Sequence, residues 1–116
     1  MIPILDLTGQ YSQIKNEVEK AVLEVMASGS YILGKNVKSL ESEIAEYCGT
    51  KRAVGVANGT DALVLALRAL DIGPGDEVIT VAFSFFATAE CVGIVGAKPV
   101  FVDINSDTFN IDYKEI

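Results

Sequence analysis

The chain has 116 residues, enough for one modest domain, and sets 9 Lys and Arg against 16 Asp and Glu for a net charge of −7. Domains that grip a phosphate backbone concentrate positive charge on one face, so nucleic acid is excluded as a partner. Hydrophobic residues make up 50% and the mean hydropathy is +0.36, an apolar load that leaves two explanations in a chain this short, a membrane or further protein.

The membrane explanation fails on pattern. Between Val78 and Val102 only Glu90 and Lys98 are charged, but Thr80, Ser84 and Thr88 break the run and Gly93, Gly96 and Pro99 punctuate its end. A spanning helix needs roughly 20 largely apolar residues in succession, so no membrane contact is expected. Met1 leads into Pro3 and Asp6 without a basic segment ahead of an apolar one, which reads as no secretory leader. Cys48 and Cys91 stand far apart and histidine is absent, excluding Cys/His metal sites and His-dependent triads. Two unpaired thiols without an export signal point to the reducing cytoplasm.

From the N-terminus, Tyr11, Ile14, Val18, Ala21, Val22 and Val25 recur at helical steps against a charged face, predicting an amphipathic helix from Gln10 to Ala27. After the loop Tyr31-Ile32-Leu33-Gly34, the residues Val37, Leu40, Ile44 and Tyr47 mark a second, with Asn36 as its N-cap and Gly49 closing it. Residues 1–50 thus form a helical segment. Residues 51–116 read differently. Ala53 to Ala57 is a short apolar run suited to a strand buried on both faces. An Ala- and Leu-rich helix follows from Ala62 to Leu70, apolar enough on most sides to need cover by other protein. A turn at Gly73-Pro74-Gly75-Asp76 precedes a strand at Val78–Val81, a helix from Phe86 to Val95 and a strand from Pro99 to Asp103. Strand, helix, strand, helix, strand is the pattern of an α/β fold with a mostly parallel sheet.

Two places could carry chemistry. At Asn58-Gly59-Thr60-Asp61, a glycine after a strand lets backbone amides approach a ligand, the helix start adds its positive dipole end, and Thr60 offers a hydroxyl. That combination suits a phosphate group, although the same tetrapeptide also reads as an N-cap and nothing more. It is neither a Walker loop nor a GxGxxG fingerprint. Past the second strand come Phe83, Phe85 and Phe86, at the carboxyl end where open α/β sheets bind ligands. Neighbouring side chains of an extended segment face opposite ways, so the three cannot share one core. One facing a cleft would offer a surface on which a planar ring can stack; packing at a strand-to-helix bend is the plain alternative.

The succession Ser28-Gly29 to Tyr31-Ile32-x-Gly34, Ala57-Asn58-Gly59-Thr60-Asp61-Ala62-Leu63, Gly75-Asp76-Glu77-Val78-Ile79, Ser84-Phe85-Phe86-Ala87-Thr88-Ala89, Gly96-Ala97-x-Pro99 to Ile104 and Thr108-Phe109-Asn110-Ile111-Asp112 resembles the DegT/StrS family of sugar aminotransferases, nearly from end to end. The resemblance implies the large domain of a fold type I pyridoxal-phosphate enzyme, three-layer α/β/α, of which residues 51–116 would be the first strands and helices. It implies that Gly59 and Thr60 hold the phosphate of pyridoxal 5'-phosphate and that Phe85 stacks on the pyridine ring. Tyr31 is implied to approach the active site and Phe83 to line its sugar side. The implied substrates are a nucleotide-linked keto-sugar and an amino donor, usually glutamate, and the implied assembly is a homodimer.

The sequence departs from the family at Val81, where relatives commonly carry proline, a change that relaxes a turn without touching a reacting group. More important, none of Lys15, Lys20, Lys35, Lys38, Lys51, Lys98 and Lys114 matches the family's Schiff-base lysine. No catalytic residue is therefore expected here, and the chain reads as the N-terminal part of a longer enzyme, ending as another helix begins at Asp112. A deoxysugar dehydratase of the same fold, a non-catalytic regulatory relative and a free-standing α/β binding domain are the alternatives.

Overall fold

The computed structural model describes residues 4–116. Helix α1 (Leu7–Ser28) starts where Asp6 Oδ1 accepts the Gly9 amide at 2.8 Å, and it stops at Gly29, whose φ of 67° only glycine adopts without strain. Helix α2 (Lys35–Cys48) is likewise closed by Gly49 in the left-handed region, as expected. Its start differs from the sequence expectation: the N-cap is Gly34, not Asn36, and no side chain caps it. Glycine is needed at that cap, because a Cβ on residue 34 would lie 2.8 Å from the Ser30 carbonyl oxygen. These helices and the chain after them form one compact unit that closes with Gly55; the second is Val56–Ile116.

In the second unit, α3 (Gly59–Ala69) is followed by β1 (Glu77–Val81), α4 (Ala87–Ile94) and β2 (Lys98–Val102). The strands pair in parallel, from Glu77 opposite Lys98 to Val81 opposite Val102. Helix α4 makes the crossover and packs on the strands and on α3. Val64, Cys91, Val92 and Ala97 form the core, with Leu67, Ile72, Val78 and Val95 packed around it. Strand alternation turns Val78 and Thr80 to that side, and Thr80 is buried, whereas Ile79 on the opposite side stays 42% exposed. The result is an α/β fold with a parallel sheet and N-terminal helices, the class read from the sequence.

Two further expectations need correction. Residues 53–57 form no strand, and the one sheet among the described residues is β1 with β2. Val54 is accordingly 77% exposed instead of buried. Helix α3 begins at Gly59, three residues before Ala62, since Asn58 is an effective cap. After Asp112, whose side chain accepts the Lys114 amide, a short 3₁₀ helix runs from Tyr113 to Glu115, where the sequence places the start of another helix. Among the described residues no helix is long and apolar enough to cross a membrane. Cys48 is exposed and Cys91 buried, and both are free thiols.

Val92, 1% exposed, leaves a cavity if truncated, so Val92→Ala should lower the unfolding free energy by about 2 kcal/mol in urea titrations. At the sheet edge Lys98 Nζ lies 2.7 Å from Glu77 Oε1. That hydrogen bond, and then the opposite charge, raise the Lys98 pKa above its ordinary value. The pair's contribution is thus complete below the ordinary lysine pKa and disappears as pH rises through the raised one. Glu77→Gln should flatten only this alkaline limb of stability, and by little, because both groups are exposed.

Candidate cofactor site

The first turn of α3 is held by its cap. Asn58 is extended, its Oδ1 accepts the Asp61 amide at 2.9 Å, and its Nδ2 donates to Asp61 Oδ2 at 3.1 Å. Asp61 therefore braces the capping side chain of Asn58 and takes up no backbone amide itself. This arrangement uses the third amide of the helix and leaves the first two. The Gly59 and Thr60 amides, and the Thr60 hydroxyl, have no hydrogen-bond partner among the described residues. They sit where the helix dipole is positive. Gly59 is not in the left-handed region, and a Cβ there would meet nothing within 4 Å. Neither backbone conformation nor packing within the chain calls for glycine at that position, and the approach to its amide is open. Two unspent amides, a hydroxyl and a positive helix end match the needs of a phosphate monoester.

The aromatic segment leaves the carboxyl end of β1. Phe83, Phe85 and Phe86 are all exposed, so none belongs to the core. Phe85 and Phe86 line a cavity of about 330 Å³ with Val81, Ala82 and Phe101. The bend is pinned by Ser84 Oγ and Thr88 Oγ1, 2.8 Å apart. Phe83 goes elsewhere. Its ring lies against Phe109, centroids 5.9 Å apart at 35°, and it is not among the residues around Phe85's cavity. Tyr31 belongs to the first unit, where its hydroxyl donates to the Met26 carbonyl at 3.2 Å and its ring borders a cavity of about 310 Å³ with Val25, Ser28, Ser30 and Lys35.

The structure thus joins Gly59 with Thr60, and Phe85 with the strand end, while separating Phe83 from Phe85. Sequence reasoning missed Phe101 as a wall of the Phe85 cavity and Phe109 as the partner of Phe83. Phe101 was open to discovery, since a parallel β2 places it opposite Thr80, one residue before the strand ends. Phe109 was not, because a left-handed backbone, φ 58°, puts its ring where it is.

The model of the DegT/DnrJ/EryC1/StrS aminotransferase family matches residues 12–116. The chain belongs to this family. It is 53% identical over 99% of its length to a protein of Geobacillus stearothermophilus named pleiotropic regulatory protein. It is 47% identical over 97% of its length to the UDP-2-acetamido-2-deoxy-3-oxo-D-glucuronate aminotransferase of Pseudomonas aeruginosa. In each case the chain spans 31% of the relative's length. Among solved structures, DesV of S. venezuelae in complex with a ketimine intermediate superposes with a TM-score of 0.93 at 43% identity, covering 98% of this chain and 31% of that one. This family member shares the fold of that part of a fold type I aminotransferase.

Asn58→Ala should lower stability by about 1 kcal/mol through loss of the cap. Gly59→Ala should not lower it, because the added methyl meets open space and alanine favours helix. Thermal unfolding of the two variants checks both outcomes.

Proposed function

We propose that this chain is the N-terminal part of a pyridoxal-phosphate aminotransferase that moves an amino group, with glutamate as donor, onto a keto carbon of a nucleotide-linked sugar. The unspent donor set at Gly59 and Thr60, in a chain of this family, is the observation that carries the reading. The Gly59 and Thr60 amides and the Thr60 hydroxyl hold the cofactor phosphate, and Phe85 faces the ring. When bound, the cofactor supplies the electron sink for amino transfer. The contribution of this chain is to fix one end and the plane of that ring. Tyr31 and Phe83 are proposed on the substrate side, Phe83 with Phe109 behind it. Residues 51–116 open the cofactor-binding domain, after a helical segment at 1–50. The lysine that reacts lies in sequence outside this chain, and the working unit is a homodimer in the cytoplasm.

The 47% identity to a named nucleotide-sugar aminotransferase supports the substrate class. A second reading, a regulatory relative without catalysis, is favoured by the name of the protein at 53% identity. The two differ in what an amino donor does. The intact protein should bind pyridoxal phosphate with visible absorbance that bleaches on adding glutamate. Absence of bleaching with every amino donor tried would leave the regulatory reading standing.

Thr60→Ala and Phe85→Ala in the intact protein should each weaken cofactor retention, by about 10-fold for the lost phosphate donor and less for the lost ring contact. Equilibrium dialysis measures this, and undiminished occupancy in both variants sinks the site assignment.

A further inference from the structure

We infer that Thr88 is a positioning residue for the cofactor ring, holding the backbone at Phe85 through its own amide and through a hydroxyl bond to Ser84; this rests on the assignment of Phe85 to the ring of pyridoxal phosphate. Phe85 is 79% exposed. A ring with so little packing around it has few neighbours to fix its direction, so the backbone beneath must set where its Cα–Cβ bond points. That backbone lies in the bend between β1 and α4, outside both elements.

Thr88 spans the bend. Its amide donates to the Phe85 carbonyl at 3.0 Å, and its Oγ1 is hydrogen-bonded to Ser84 Oγ at 2.8 Å. One bond takes the carbonyl of Phe85 and the other the residue before it, so Phe85 is held from both sides. Thr88 itself is half-buried on α4, and its carbonyl accepts the Sγ–H of Cys91, a core residue, at 3.3 Å. The bend is thereby tied to the packed interior. The hydroxyl bond does not serve as a helix cap. Phe86 precedes α4, no side chain caps the helix, and Ser84, of a type that commonly accepts a helix amide, spends its hydroxyl on Thr88 instead. What the bond closes is the loop 84–88 with Phe85 inside it, and Ser84, Phe85 and Thr88 share the wall of one cavity of about 330 Å³. Threonine suits the role, since a β-branched side chain in a helix has few rotamers. Without the pair, ordering Phe85 against the ring draws on the binding energy of the cofactor.

The test uses the intact protein and pyridoxal phosphate. Thr88→Val removes the hydroxyl at nearly constant shape, Thr88→Ser keeps it, and Ser84→Ala removes the other end of the bond from an exposed position outside the helix. Two quantities are read: the dissociation constant, and the visible circular dichroism per bound cofactor, which reports how rigidly the ring is held. Thr88→Val and Ser84→Ala should each weaken binding about 3-fold and reduce the dichroism, with Thr88→Ser close to the parent in both. In a Phe85→Ala background Thr88→Val should add nothing, because the ring it acts through is gone. Parent-like binding and dichroism in Thr88→Val and Ser84→Ala, a Thr88→Ser as impaired as Thr88→Val, or a full additional loss in the double variant overturns the inference, while a weakened Phe85→Ala leaves the ring assignment standing. Undiminished affinity and dichroism in Phe85→Ala remove that assignment, and the inference with it.

Discussion

Parallel strands cannot be joined by a tight hairpin, so pairing β1 with β2 obliges the chain to leave the carboxyl end of β1, run back as a helix and re-enter alongside. The hydrophobic core of the second unit is what that return encloses: Cys91 and Val92 from the crossover helix, Val78 from the strand beneath, Val64 and Leu67 from α3 above. The same constraint explains why Phe83, Phe85 and Phe86 are grouped at one end. They occupy the bend the crossover demands, where the chain is neither strand nor helix and side chains need not enter the core. A cavity at the carboxyl end of β1 is thus a consequence of topology, and its aromatic lining is what this sequence has made of it.

The first turn of α3 follows a different economy of hydrogen bonds. Every helix begins with amides it cannot satisfy internally. At α1 the Asp6 carboxylate takes one of them. At α3 the Asn58–Asp61 exchange takes only the third and holds the turn rigid around the others. Capping and binding are therefore complementary readings of one tetrapeptide: the cap fixes the direction in which the Gly59 and Thr60 amides point.

Much of this was legible from residues alone. The amphipathic stripe from Tyr11 to Val25 and the closing glycines Gly29 and Gly49 carry local chemistry, and they end in helices where the pattern places them. The crossover unit was legible because its strands and helix are each short, apolar and punctuated by glycine or proline. The segment 53–57 shows where local reading stops. Its composition reports what a strand needs on both sides, and pairing depends on neighbours that composition does not contain. The position of Phe83 was out of reach for the opposite reason, being decided by a loop 26 residues later whose shape rests on Asn105 Oδ1 accepting the Asp107 and Thr108 amides.

The register of the sheet has a kinetic side. Glu77 and Lys98, 21 residues apart, are joined across the two strands, and the entropy of closing so short a loop is small. The strand–helix–strand unit is therefore closed over a short stretch of sequence, which lowers the loop entropy that otherwise slows parallel pairing. The face bearing Ile79 stays open among the described residues. Among the described residues the unit's outer strand edges have no strand beside them, and such edges are open to pairing with another chain.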